Sequence, residues 1–191
     1  MLEQSVNFVE LVKEDFKVRT PVLDIGSKTR QKDYVRTTVK KILKENDCIG
    51  FDIEAGRGVD MVGDAHELPF KDESIGTVFM LETIEHLWEP QRVFREISRV
   101  IKPNGILAFT VVWIHNRAIM VENERRFLGI CYPVHHKNDW WRFSDWSIRR
   151  LLKNNNFKML HLTPSAVRAY IIAQKRKVPY KREISNRGLI L

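Results

Sequence analysis

Between residues 4 and 17 apolar side chains recur at helical spacing (Phe8, Val9, Val12, Phe16) with charges between them, which predicts an amphipathic helix. The pattern then shortens. TPVLDIG is an apolar run stopped by Gly26 and reads as a buried strand, whereas VRTTVKKILKEN returns to helical spacing through Val35, Val39, Ile42 and Leu43 and stops at Asn46. CIGFDI and VDMVGD predict a second and a third strand, HELPFKDES a loop and IGTVFML a fourth strand. EPQRVFREISRVIKPNG is a helix with Pro90 in its first turn, ended by Pro103-Asn104-Gly105; ILAFTVVWI is a fifth strand. From Asn116 to Phe143 the periodicity weakens among aromatic residues and paired histidines, which suggests an insertion over one rim. Ser144 then suits the N-cap of a helix over DWSIRRLLKNNN, with Ile148, Leu151 and Leu152 facing in. Two strands close the pattern, FKMLHLT and VRAYIIAQ.

Alternating strands and helices call for an α/β fold, a mostly parallel sheet with helices on both faces. The last two strands share only a short connection, so one of them must run antiparallel. At 191 residues the chain suits one domain, here residues 1–174 with the insertion at about 116–143. The net charge of +8 is uneven, because residues 175–191 carry six basic side chains against Glu183. This basic tail reads as a solvated terminus able to meet an anionic partner. No run of eighteen apolar residues would span a bilayer and the amino terminus lacks a basic signal-peptide start, so a soluble, cytoplasmic protein is expected. Cys48 and Cys131 stand in no paired metal-ligand spacing and are expected to be reduced thiols.

In open sheets of this kind ligands sit beyond the carboxyl ends of the strands. Four acids fall there in succession: Asp24, Asp52 (with Glu54 beyond it), Asp64 and Glu82. A carboxylate after the second strand can accept from both ribose hydroxyls, and Asp64 suits the exocyclic amine of an adenine, with Ala65 leaving room for the ring. Asp24 and Glu82 would form a negative well nearer the centre, better matched to a cation than to a pyrophosphate. A dehydrogenase is disfavoured further by the turn after Gly26, where Lys28 and Arg30 replace the small residues a dinucleotide cradle needs.

With these residues in order, the chain resembles the class I S-adenosylmethionine-dependent methyltransferases. VLDIG resembles the first motif of that family, GFDI its ribose acid, VDMVGDAHELPF its adenine segment, FMLETIEHL its fourth strand and following turn, and EISRVIKPNGIL its helix and fifth strand. The resemblance implies a Rossmann-like three-layer αβα sandwich with a seven-stranded sheet and one antiparallel strand near the C-terminus. It also implies S-adenosylmethionine as cofactor, with Asp24, Gly26, Ser27, Asp52, Ile53, Asp64, Ala65 and Glu82 around it. The chain departs from the family pattern at GSKTR, which lacks the further glycines, and at Gly76, where the family usually has Asp; the second change is expected to be structural.

A sulfonium methyl is already activated, so a base is useful only where the acceptor is a hydroxyl or a protonated amine. Glu85 and His86 are the candidates; with Glu82 they stand at i, i+3 and i+4, which one helical turn would bring to one face. The same triplet, completed by His135, His136 or Asp139, has the chemistry to hold Mg²⁺ or Mn²⁺, as some relatives acting on RNA ribose hydroxyls resemble; the preferred reading has no metal. Trp140, Trp141, Phe143 and Trp146 are expected to pack a lid onto the sheet, with stacking on a base or aromatic acceptor as the alternative. Tyr132, His135 and His136 would then face the acceptor, a small molecule or a nucleic acid. The competing readings are a cofactor-binding relative without turnover and a metal-dependent RNA 2′-O-methyltransferase.

Overall fold

The apolar run after Pro21 becomes a strand, β1 (Val22–Ile25), buried along its whole length. The computed structural model describes residues 2–29, 38–43, 47–113, 126–127, 130–131, 140–165 and 168–177. Within these, β1 is followed by β2 (Cys48–Asp52), β3 (Met61–Val62), β4 (Ile75–Met80), β5 (Ile101–Val112), β6 (Arg126–Phe127), β7 (Ile130–Cys131), β8 (Phe157–Pro164) and β9 (Arg168–Lys175). The seven-stranded sheet has the order β3-β2-β1-β4-β5-β9-β8. Only β9 opposes its neighbours, pairing antiparallel with both β5 and β8, as the short connection before it requires. β6 and β7 form a separate antiparallel pair inside the expected insertion.

Helices α1 (Leu2–Asp15) and α2 (Thr38–Leu43) cover one face of the sheet, and α3 (Pro90–Val100) and α4 (Asp145–Asn154) the other. Phe8, Val9, Val12 and Val39 pack with Val22, Phe79 and Ile172 on the first face. Phe94, Ile97, Ile148 and Leu152 pack with Leu23, Val78, Phe109 and Ile171 on the second. This is the three-layer αβα arrangement. Pro90 opens α3, and Ser144 caps α4 in a reciprocal pair with Ser147, both as the sequence implies. Among the described residues, no helix is long and apolar enough to cross a membrane. Cys48 is a buried free thiol.

Two boundaries differ from expectation. The third strand shrinks to two residues. The helix before β5 ends at Val100, and Pro103-Asn104-Gly105 lie inside β5 as an irregularity: pairing to β4 breaks between Ile75 and Thr77, and Asn104 takes a left-handed φ of 61°. Of the helix expected over residues 35–46, residues 38–43 are helical, and residues 35–37 and 44–46 lie outside the described residues. Gly76 behaves as expected: a Cβ there would stand 2.3 Å from the Arg19 carbonyl oxygen, so the position is structural.

Residues 53–60 join the parallel strands β2 and β3 with no helix, although such a crossover usually needs about a dozen residues. The close approach is made possible by Gly50. The Gly58 carbonyl oxygen lies 1.9 Å from where a Gly50 Cβ would stand, and Asp60 brackets the same residue, accepting from its N–H and donating to its carbonyl at 2.8 Å each. Gly50→Ala is expected to lower the folding free energy by about 2–3 kcal/mol, since backbone rather than a flexible side chain must give way. A urea midpoint unchanged from wild type would contradict this.

Candidate active site

The strand order reverses between β1 and β4, so the ligand crevice of such a sheet opens over the carboxyl ends of these two strands. The turn leaving β1 is closed on itself. Gly26 and Ser27 both donate to the Phe51 carbonyl (2.8 and 3.2 Å), Lys28 N donates to Asp52 Oδ2 (2.9 Å) and Thr29 N to the Arg57 carbonyl (3.1 Å). All four amides are spent inside the protein, so none is left to cradle a pyrophosphate. The dinucleotide alternative therefore fails on hydrogen bonding, beyond the side-chain bulk of Lys28.

Gly26 has φ 78°, and a Cβ on it would stand 2.1 Å from Thr83 Oγ1. The room it provides is thus filled by Thr83 at the exit of β4. Ser27 is buried, and its hydroxyl has no hydrogen-bond partner among the described residues. Lys28 Nζ pairs with Glu54 Oε2 at 2.5 Å. Asp52 is half-buried at the end of β2, with Oδ1 accepting from Glu54 N at 3.2 Å; Ile53 beside it is 68% exposed.

Of the two acids of the expected central well, Glu82 is compensated by an arginine. Asp24 is 3% exposed on the face of β1 that packs against α2, where it lines a cleft of about 270 Å³ with Lys40, Lys41 and Arg57. Glu82 forms an ion pair with Arg168, the first residue of β9, and the two side chains are only 15% and 12% exposed. Thr110 completes this cluster, accepting from Glu82 N at 2.7 Å and donating to Glu82 Oε1 at 3.2 Å. Burial alone would lower the Arg168 pKa; the Glu82 carboxylate outweighs it, with a further contribution from Glu85, and raises it above the ordinary value.

Nor do Glu82, Glu85 and His86 share a helical face. Glu82 has a left-handed φ of 50°, and the chain continues through a 3₁₀ turn of three residues, Ile84–His86. Glu85 is buried, with its carbonyl accepting from Trp140 N at 2.8 Å, and His86 is half-buried. Spacing for an α-helix does not carry over to so short a turn that starts from a left-handed residue. Tyr132, His135, His136 and Asp139 lie outside the described residues, as do residues 178–191 of the basic tail.

Residues 23–109 match the family model of the methyltransferase domain. Over 96 residues the chain is 29% identical to malonyl-acyl-carrier-protein O-methyltransferase 1 of Coxiella burnetii, covering 48% of this chain and 33% of that protein. It is 32% identical over 80 residues to demethylmenaquinone methyltransferase of Thermotoga maritima, covering 42% and 32% respectively. The chain thus spans about a third of the length of these curated relatives. A solved S-adenosylmethionine-dependent methyltransferase of Thermotoga maritima, described as a possible histamine N-methyltransferase, shares the fold with a TM-score of 0.62 at 22% identity, over 90% of this chain and 89% of that one. The methyltransferase-domain match over residues 23–109, together with the shared fold, supports a class I S-adenosylmethionine-dependent methyltransferase family for the matched segment.

The adenine-side candidates lie on the loop after β3. Ala65 is buried, and Asp64 is half exposed with Oδ1 accepting from His66 N at 2.8 Å and from His66 Nδ1 at 2.5 Å. Partial burial pushes the Asp64 carboxyl up, but the two His66 hydrogen bonds outweigh it and hold it below the usual carboxylate range. Glu96 is likewise held low by Arg99, which also donates to the Leu68 and Phe70 carbonyls and so ties the loop at residues 68–72 to α3. The Gly50 amide and Lys40 lower Asp60 in the same way. A depressed carboxyl contributes stability that is present above its unfolded pKa, about 4, and is lost as pH falls through its folded value. The urea midpoint is therefore expected to fall below about pH 4, and less steeply in Asp64→Asn than in wild type; parallel profiles would remove Asp64 from this account.

The aromatic cluster divides. Phe143 is 5% exposed, donating from its N–H to the Val112 carbonyl at 2.9 Å, whereas Trp140, Trp141 and Trp146 are exposed, Trp146 by 79%. Trp141 Nε1 donates to the Leu87 carbonyl at 2.6 Å, so residues 140–143 lie against the turn after β4. Of these four aromatic residues, Phe143 alone is buried in the core beside the sheet. Arg168 and His66 escaped the sequence reading, although a lone arginine opening an otherwise apolar strand signals a buried partner.

Proposed function

We propose that this chain binds S-adenosylmethionine over the carboxyl ends of β1, β2 and β4 and transfers its methyl group to an acceptor. The observation that carries the reading is the pairing of Asp52, anchored to the Lys28 amide, with the exposed apolar side chain of Ile53. A fixed carboxylate beside an open apolar surface suits a ribose next to a purine ring. The spent amides of residues 26–29 suit a cofactor without phosphate. Asp52 would hold the ribose hydroxyls, Ile53 and Ala65 the faces of the adenine, and Asp64 its amine. Gly26 and Ser27 would border the amino-acid end, with Asp24 and Glu82 behind them.

The cofactor supplies an activated methyl, so the protein's share is to orient the acceptor and exclude water. Glu85, buried and close enough to Arg168 to stabilise its charge, is the acid best placed to take a proton from a hydroxyl or ammonium acceptor, with His86 beside it. Tyr132, His135 and His136 are assigned to the acceptor side, and the basic tail to an anionic partner. Calorimetric titration of the intact chain with S-adenosylmethionine and S-adenosylhomocysteine tests the reading, followed by labelled-methyl transfer to small-molecule and RNA acceptors. No binding of either compound overturns it. The Glu82–Arg168 pair favours one second reading, a relative that binds the cofactor without turnover, for which binding without transfer across the panel is the expected result.

A further inference from the structure

His66 is a buried imidazole with both ring nitrogens engaged. Its Nε2 lies 3.2 Å from Glu89 N, an obligate donor, so Nε2 is the acceptor and the ring proton sits on Nδ1, 2.5 Å from Asp64 Oδ1. Trp88 covers the ring, with centroids 4.9 Å apart and planes inclined by 33°. Glu89 is the N-cap of α3, so the imidazole connects the first turn of that helix to the Asp64 carboxylate.

We propose that His66 is a positioning residue that fixes Asp64 for recognition of the purine 6-substituent. This inference rests on the cofactor assignment above. Asp64 Oδ1 takes two donors from His66, the backbone N–H and the ring N–H, and Oδ2 takes no hydrogen bond from the described residues. One oxygen is thereby committed to the protein while the other stays available as an acceptor on a half-exposed side chain. A carboxylate so fixed accepts from an adenine amine, but meets the carbonyl of a hypoxanthine acceptor to acceptor. Without the ring N–H, Asp64 regains its side-chain rotation and turns away from that carbonyl, so the preference weakens.

The two half-mimics of histidine separate its contacts. Asn places an amide N–H near the position of Nδ1 and keeps the Asp64 contact; Gln places a carbonyl near Nε2 and keeps the Glu89 contact. Binding of S-adenosylhomocysteine and of S-inosylhomocysteine is measured by calorimetry on the intact chain for wild type, His66→Asn and His66→Gln. Wild type is expected to favour the adenine compound by about tenfold or more. H66N should keep that ratio within about twofold, and H66Q should reduce it about fivefold or more. Equal ratios in all three proteins overturn the role of His66 while leaving the cofactor assignment standing. Equal losses of affinity for both compounds in both variants also overturn it, because general structural support does not move a ratio. Failure of wild type to bind S-adenosylhomocysteine overturns the cofactor assignment and this inference together.

Discussion

Replacing Arg168 with Met is expected to cost about 3 kcal/mol of folding free energy. Glu82 loses the cation that compensates it, in a setting where its side chain is only 15% exposed and the buried Glu85 adds a second negative charge nearby. Thr110 supplies one hydroxyl donor to Glu82 and cannot neutralise it. Breaking a fully buried pair by removing one partner costs about 3–5 kcal/mol, and the residual exposure of both groups sets the lower end here. The accompanying change that isolates the charge is Glu82→Gln. In the double variant R168M/E82Q no ion is stranded, so at least half of the lost stability should return; if the double change instead costs the sum of the two single changes, the pair is not the source. Urea denaturation at unchanged slope is the measurement, and a midpoint shift worth less than about 1 kcal/mol in Arg168→Met would remove the ion pair as a structural element. The proposed methyl transfer should fall in the variant as well. Glu82 ends β4 in a left-handed conformation, so its anchor also sets the direction of the turn that carries Glu85 and His86.

How far such features can be read from sequence depends on how local they are. The strand at residues 22–25, the Ser144 cap, the Pro90 start and the antiparallel last pair follow from period, capping and connection length, and each is satisfied within a few residues along the chain. Pro103-Asn104-Gly105 was legible as a break, but not as a break inside a strand: Ile101 pairs with Ile75 before the irregularity and Ile106 with Thr77 after it, a register that no local pattern encodes. The Glu82, Glu85, His86 spacing misled for a related reason. It presumes an α-helix, and the φ of Glu82 is set by contacts to Thr110 and Arg168, which lie far along the chain. Long-range partners decide which acids are open to a ligand. Asp52, Asp64 and Glu82 look alike as acids after strands, yet one caps a turn, one is gripped by a histidine and one is neutralised by an arginine.

Asp52→Ala is expected to weaken S-adenosylhomocysteine binding by at least about tenfold, or about 1.4 kcal/mol. The carboxylate has two tasks, and the variant removes both. Toward the protein, Oδ2 accepts from Lys28 N and Oδ1 from Glu54 N, so truncation leaves the amide that closes the Gly26 turn without its acceptor, at about 1–2 kcal/mol of stability. Toward the cofactor, in the proposed binding mode, it removes the acceptor for the ribose hydroxyls. Asp52→Asn separates the tasks, because an amide oxygen can still accept from Lys28 N while the charge is gone. If the ribose contact dominates, Asp52→Asn should bind with intermediate affinity, and both variants should lose affinity for adenosine as well as for S-adenosylhomocysteine. If turn closure dominates, Asp52→Asn should bind like wild type and only Asp52→Ala should lose both stability and affinity. Wild-type affinity in Asp52→Ala, together with lowered stability, would confine Asp52 to capping the turn and move the ribose site elsewhere on the rim.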